Sequence, residues 1–257
     1  MRRLTIITIN YNNRLGFART QASVLAQNFT DFNWLIVDGG STDGSLSILS
    51  REQIEGICAI SEQDNGIYDA MNKGISKANT DFVMFLNSGD VLADASVIGK
   101  LHEVLNKTEV DIVYGDIKIQ SGSNIGRQWR SGDINFIKIL FGWHTPHPAM
   151  IYSLKCLKKI GGYDEQYTIA ADYDIFLRLY KAGYEFVYKD ICITVMEKPG
   201  ASGGSIIQIL KSNLQVLHSW RNTFKFIPLW ILLTKPLYKV TQLRPFKKYT
   251  IEYEVKK

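Results

Sequence analysis

At 257 residues, 46% hydrophobic and 21% charged, the chain has the make-up of a soluble protein that buries a full core as one large domain or two closely joined lobes. Net charge is only +5, and the excess gathers late, at Lys225, Lys235, Lys239, Arg244, Lys247, Lys248, Lys256 and Lys257. That placement argues against a nucleic-acid face and suits an anionic membrane surface. Cys58, Cys156 and Cys192 are scattered and form no CxxC pair, so no zinc site is read, and buried thiols in a reducing compartment are expected.

Met1-Arg2-Arg3-Leu4 has the charge of a signal-peptide start. Asn10, Asn12 and Asn13 break the apolar run after it, and no small-residue cleavage site appears. The run is therefore read as strand one of a cytoplasmic protein. Thr5-Ile6-Ile7-Thr8-Ile9 is that strand, and it runs into Asn10-Tyr11-Asn12. Helical spacing predicts a helix over 16–26, with Phe17, Val24 and Leu25 buried. A second strand, 34–37, runs into Asp38-Gly39-Gly40-Ser41-Thr42-Asp43-Gly44, and a helix is expected over 45–52. Strand 57–60 leads to Asp64-Asn65-Gly66 and a helix over 67–78. Strand 82–86 ends in Asn87-Ser88-Gly89-Asp90, with a helix expected over 94–106. Strand alternating with helix implies a mostly parallel sheet with right-handed crossovers.

The second half is more mixed. Residues 110–119 read as a strand pair or one bent strand, 120–133 as a polar, glycine-rich loop, 134–140 as a short helix and 149–152 as a strand. A strong helix is expected over 171–182, with Gly183 as its stop, and 186–195 as extended. From 206 onward Ile206, Ile207, Ile209, Leu210, Leu214, Leu217 and Trp220 fall on one face of an amphipathic helix. The apolar run 226–233 is shorter than the ~20 residues a bilayer span needs.

Open α/β sheets bind ligands at the carboxyl ends of their strands. Here those ends carry amides, hydroxyls and carboxylates, a lining for a base, a ribose and a metal ion. Asp38 is either the acceptor for the N3–H of a uracil or a turn residue that, like Ser41, caps the next helix. Asp64 precedes a helix start that either holds an anion or is merely capped, with Asn72 and Lys73 one turn in. Asp90 is either an Asx turn or a ligand of Mg²⁺ or Mn²⁺, ions that take few protein carboxylates and complete their shells from phosphate and water. Of the two histidines in Trp143-His144-Thr145-Pro146-His147-Pro148, His147 either packs in a loop or faces a phosphate or the divalent ion. Asp172 opens the 171–182 helix. The dipole alone favours a carboxylate there, and the sharper reading makes it a general base. Arg178 is placed to pair with Asp174 at i,i+4.

Together these segments resemble a family 2 glycosyltransferase of the GT-A fold over roughly residues 3–205. The motifs are Ile7-Thr8-Ile9-Asn10-Tyr11-Asn12, Val37-Asp38-Gly39-Gly40-Ser41-Thr42-Asp43-Gly44-Ser45, Asp64 to Gly74, and Phe85-Leu86-Asn87-Ser88-Gly89-Asp90. The last two are similar to the bacterial surface-polysaccharide branch that includes colanic-acid-type transferases. The resemblance implies a hexosyltransferase-like, inverting enzyme. Its donor, a UDP-sugar, would be held by Thr8, Asn10, Tyr11, Asp38, Ser41, Asp64, Asn72, Ser88 and His147. It places the divalent metal on Asp90 and the catalytic base at Asp172. Two departures stand out: Asn87 and Gly89 occupy carboxylate positions of the metal motif, and Ala171 replaces the acidic residue before Asp172.

The expected organisation is a catalytic domain over 1–205, with a nucleotide-sugar half (1–110) and an acceptor half (111–205), then a basic helical tail over 206–257. The acceptor implied is a sugar on a membrane-bound lipid carrier, with the tail on the inner face of the membrane, packed on the domain, or in a homodimer contact. The turn after strand one lacks both a glycine- and arginine-rich phosphate loop and GxGxxG, which excludes a nucleotidyltransferase and a dinucleotide oxidoreductase. A non-catalytic nucleotide-sugar-binding or scaffold protein is the alternative from another class.

Overall fold

Both faces of the leading strands are apolar, so both must be covered, and the chain does this with helices on either side of one sheet. The computed structural model describes residues 3–49, 56–107, 109–121, 124–197, 206–241 and 243–248. Strands β1 (Leu4–Asn10), β2 (Asn33–Asp38), β3 (Ile57–Ser61) and β4 (Phe82–Phe85) lie parallel in the order β3-β2-β1-β4. Side chains alternate between two cores. Ile7, Ile9, Leu35, Val37 and Phe85 face one, and Ile6, Trp34, Ile36, Phe82 and Met84 face the other. Helices α1 (Arg14–Leu25), α2 (Ile67–Lys77) and α3 (Val97–Lys107) cover these faces, with the short strand β5 (Val91–Leu92) between the last two.

The second half turns the sheet antiparallel. Strands β6 (Ile112–Ser121) and β7 (Asn124–Trp129) form a hairpin, and β8 (Met150–Ser153) inserts between β4 and β6. Strand β9 (Phe186–Glu197) runs parallel along β6, and Gly115 permits it: a Cβ there would sit 2.4 Å from the Ile191 carbonyl oxygen. Helices α4 (Phe136–Leu140), α5 (Leu154–Ile160) and α6 (Ala171–Lys181) pack around this half. Helices α7 (Ile206–Phe224) and α8 (Ile231–Thr241) come next, and β10 (Leu243–Lys248) pairs with β7 at the far edge of the sheet. The result is a mixed sheet flanked by helices, as the resemblance implies.

Several expectations change. The 45–52 helix is a 3-10 turn over Ser45–Ile48, and residues 50–55 lie outside the described residues. The polar stretch 120–133 is not a loop throughout, because Trp129, Gln128 and Arg127 pair with Ile117, Lys118 and Ile119. Cys58 is exposed on β3, while Cys156 is buried. The apolar face expected after 206 is only in part the packing face: α7 packs on α6 with Val216, Ser219 and Trp220 buried and leaves Ile207, Ile209, Leu210 and Leu214 exposed. Its packing face is part polar because it hydrogen-bonds to α6. The side chains of Lys239, Arg244, Lys247 and Lys248, and all of Lys256 and Lys257, lie outside the described residues. No helix among the described residues is long and apolar enough to cross a membrane.

Candidate active site

The carboxyl ends of β1 and β2 converge on Asp38, which is fully buried. Its Oδ1 accepts from Asn10 Nδ2 at 2.8 Å and Ser41 Oγ at 2.6 Å, and its Oδ2 accepts from the Ser41 amide at 2.8 Å and Ser61 Oγ at 2.7 Å. Burial pushes the carboxyl up, but hydrogen bonds from Ser41, Asn10 and Ser61 outweigh it and hold it below the usual range. Asp38 is thus the hub that shapes the turn, and its oxygens are taken up inside the protein. The same holds for Ser41, whose hydroxyl also accepts from the Asn12 amide at 2.8 Å. Thr8 lies fully buried one turn of pleat below, its hydroxyl taking the Trp34 indole N–H at 2.9 Å. Thr8, Asn10 and Asp38 are buried at the floor of the turn, Ser41 is half-buried above them, and Asn10 Oδ1 is buried without a hydrogen-bond partner.

The open face belongs to Tyr11 and Asp64. The Tyr11 ring is 64% exposed at the end of β1. Asp64 accepts the Gly66 amide on Oδ1 at 2.9 Å and turns Oδ2 toward Gly39. A Cβ at position 39 would lie 2.3 Å from that oxygen and 3.2 Å from the Tyr11 ring. Gly39 therefore leaves the space into which the Asp64 carboxylate reaches, beside an exposed aromatic ring.

At the end of β4, Asp90 is half-buried and accepts no side-chain hydrogen bond among the described residues. Burial pushes its pKa up to about 7, partly opposed by the Arg19 guanidinium, itself paired with Glu197. Asn87 Oδ1 and Ser88 Oγ on the same turn are buried without partners. Three hard oxygens lacking donors on one four-residue turn suit a small divalent cation. No cluster of three or more His, Cys, Asp or Glu side chains occurs among the described residues, so diphosphate and water would have to complete the shell.

The third element is the seam between α2 and α6. Tyr68, on the first turn of α2, donates its hydroxyl to the Ile169 carbonyl at 2.7 Å, just before Asp172. Asp172 is half-buried, and its charge is felt by Tyr68, His147, Tyr152 and Tyr163. Two expected donor contacts are committed elsewhere. Asn72 donates to the Tyr163 carbonyl and to Glu165, each at 2.9 Å, and accepts the Tyr163 amide at 2.8 Å. His147 is 9% exposed, with Nε2 2.6 Å from the Tyr163 hydroxyl and its ring against Phe85. Burial pushes the imidazole pKa down, opposed by the charge of Asp172. His147 thus packs in the core beside Phe85 and Tyr163, the packed-loop alternative of the sequence reading.

The family description "Glycosyl transferase family 2" matches residues 5–161, from β1 through α5. The chain belongs to glycosyl transferase family 2. This family 2 glycosyltransferase is 35% identical over 180 residues to an uncharacterized glycosyltransferase of Mycobacterium tuberculosis, covering 68% of each chain. It is 32% identical over 162 residues to a PGL/p-HBAD biosynthesis glycosyltransferase of Mycobacterium bovis, covering 62% of each. Its fold is similar to Staphylococcus aureus TarS 1-349 in complex with UDP-GlcNAc, with TM-score 0.70, 17% identity, and coverage of 94% of this chain and 74% of that one. It is also similar to the mannosyltransferase PcManGT of Pyrobaculum calidifontis in complex with GDP-Man and Mn²⁺, with TM-score 0.66, 15% identity, and coverage of 92% and 69%.

In this glycosyltransferase the family match stops before Asp172, and helix α7 braces that region. Gln215 Oε1 accepts the Ile169 and Ala170 amides, each at 3.0 Å, and its Nε2 donates to Thr168 at 3.0 Å. Ser219 donates to Asp174 Oδ1 at 2.8 Å, and Trp220 Nε1 to the Tyr173 hydroxyl at 2.9 Å. The other oxygen of Asp174 takes Arg178 Nε at 2.7 Å, the i,i+4 pair expected from spacing, and Arg178 also reaches the carbonyls of Ile160 and Gly162. Residues on both sides of Asp172 are thus pinned while its own carboxylate stays partly open. Gln215 is absent from any sequence motif. The sequence signal for it is a pair of polar residues, Gln215 and Ser219, set beside the buried Val216 and Trp220.

Proposed function

We propose that the chain transfers a sugar from a nucleotide diphosphate, a UDP-sugar, to a hydroxyl of a lipid-linked glycan in bacterial surface polysaccharide synthesis, with inversion at the anomeric carbon. The observation that carries this reading is the direct contact of the two platforms. The α2 turn beginning at Asp64 and the segment entering α6 at Asp172 meet through the Tyr68 to Ile169 hydrogen bond. The UDP-GlcNAc held by TarS and the GDP-Man held by PcManGT support a nucleotide-sugar donor.

The base of the nucleotide lies on Tyr11, with Asp64 accepting its N–H in place of the internally bonded Asp38. Asp90, with Asn87 Oδ1 and Ser88 Oγ, would hold Mg²⁺ or Mn²⁺. The cation's chemistry is to offset the negative charge gathering on the departing diphosphate. Asp172 takes the proton of the acceptor hydroxyl as that oxygen bonds to the anomeric carbon and the bond to the diphosphate oxygen breaks. The electron pair leaves with the diphosphate, and the transition state has oxocarbenium character. Asp174, locked to Arg178 and Ser219, takes no part in proton transfer.

The test is donor consumption across UDP- and GDP-sugars, with and without chelator, and then the anomeric configuration of the product. UDP-sugar turnover that stops in chelator and gives the inverted product supports the reading. Absence of turnover with every donor, or a retained configuration, overturns it.

A further inference from the structure

Helix α8, with the turn that precedes it, and the short helix α4 expose apolar side chains beside one another. Trp230 donates its indole N–H to the Leu140 carbonyl at 2.9 Å, which clamps the start of α8 onto the end of α4. Gly142, at φ +92, keeps the contact close: a Cβ there would lie 3.0 Å from Lys235 Cβ. Helix α8 points Ile231 inward, where it is 1% exposed. It leaves Leu233 and Leu237 75% and 63% exposed, and Leu229, in the turn before the helix, is 61% exposed. On α4, Ile137 is 69% exposed and Phe141, one turn on, 41%. Outward residues four apart on each of two clamped segments make a ridge, not scattered exposure.

Charge selects what covers this ridge. Among the described side chains after Ile206, the cations Lys211, Arg221 and Lys225 are exposed, and the sequence from Ile206 to Lys248 holds no Asp or Glu. Between Ile134 and Ala149, around α4, the one charged residue aside from the histidines is Lys138. A second copy of the chain would set basic surface against basic surface, which is repulsive. An anionic lipid surface takes both features at once, the leucines and aromatics at the headgroup boundary and the lysines against the lipid charge.

We infer that α4 and the Leu229–Leu237 segment together form a membrane-docking surface for an anionic bilayer, so that the catalytic domain itself, and not a detachable tail, lies on the lipid. This deepens the lipid-linked acceptor of the proposed function and rests on it only for its biological use. The physical contact requires no turnover.

The experiment is co-sedimentation of the full chain with vesicles of phosphatidylglycerol and phosphatidylethanolamine, beside vesicles of phosphatidylcholine alone, at low and high salt. The triple variant Ile137→Ser, Leu233→Ser, Leu237→Ser changes only exposed side chains. Donor hydrolysis and thermal melting are read on the same samples, so failure of the docking surface is separable from failure of the donor chemistry. The expected result is salt-sensitive binding to the anionic vesicles, at least tenfold weaker in the variant, with unchanged melting and donor hydrolysis. No binding by the native chain, equal binding by the variant, or binding to phosphatidylcholine alone that ignores salt would overturn the inference. So would concentration-dependent dimerisation that the variant abolishes.

Discussion

Gly39 and Asp64 share one space: any side chain at 39 would meet the Asp64 carboxylate, whose Oδ2 lies 2.3 Å from the position of a Cβ. Gly39→Ala should therefore turn that carboxylate away while leaving the fold intact, because the displaced atom is the end of a half-buried side chain. Losing one hydrogen bond to a charged acceptor costs ~1.5–3 kcal/mol, roughly a ten- to hundredfold loss of donor affinity. Calorimetric titration with UDP checks it. Unchanged affinity in Gly39→Ala would remove Asp64 from base recognition.

Asp90 sets a pH dependence. Its folded pKa, pushed up to about 7, lies above the ordinary carboxylate value of 3.8. Below about 7 the group is protonated and offers a cation little, so Mn²⁺ affinity should fall about tenfold per unit as the pH drops further. The same shift makes the ionised group a cost to the metal-free fold, absent below the unfolded pKa and fully present above about 7. Asp90→Asn should abolish the metal response and raise the melting temperature of metal-free protein at pH 8, by on the order of 1–3 kcal/mol in stability. A Mn²⁺ titration flat from pH 5.5 to 8 contradicts this.

Asp172 and Asp174 differ in surroundings and should differ in phenotype. Asp172→Asn should lower kcat by ~10²–10⁴ with donor affinity and melting unchanged. Asp174→Asn should instead destabilise, since it removes the carboxylate paired with Arg178 and sets an amide N–H against the guanidinium, a loss of ~3–5 kcal/mol, while the retained amide oxygen can still accept from Ser219. Measuring rate, UDP binding and melting on both variants separates the roles; the opposite pattern reverses the assignment.

Gln215 acts through the segment it holds. Gln215→Ala frees the Ile169 and Ala170 amides, while Gln215→Glu keeps an acceptor for both. The alanine variant should lose ~10-fold or more in kcat at constant UDP affinity, as misplacing a reacting group costs rate rather than ground-state binding. The glutamate variant should recover most of it. Equal loss in both, or loss tracked by melting temperature, makes the residue merely structural.

Much of this was legible in the order of residues. The continuous apolar runs 5–9, 34–37 and 82–86 and the helical spacing over 67–78 and 171–182 carry the first half of the sheet and α6, because there the buried pattern and local propensity agree. The β6–β7 hairpin was not legible, since its pairing residues Arg127, Gln128 and Trp129 come after a glycine-rich stretch that reads as loop. Motif reading marked Asp38 and Asn72 as ligand contacts, and spacing alone does not reveal the hydrogen bonds that also tie them to Asn10, Ser41 and Tyr163. Tyr11, Asp64 and Asp90 differ from these only in what surrounds them. Gln215 lies 43 positions beyond Asp172 and meets its neighbours only through tertiary packing.

Asn72 bears on motion. Three hydrogen bonds tie it to Tyr163 and Glu165, and Tyr68 adds another from α2 to Ile169. Helix α2 and the approach to α6 are thus joined by four hydrogen bonds, and any hinge that opens between the two halves at this seam has to break them.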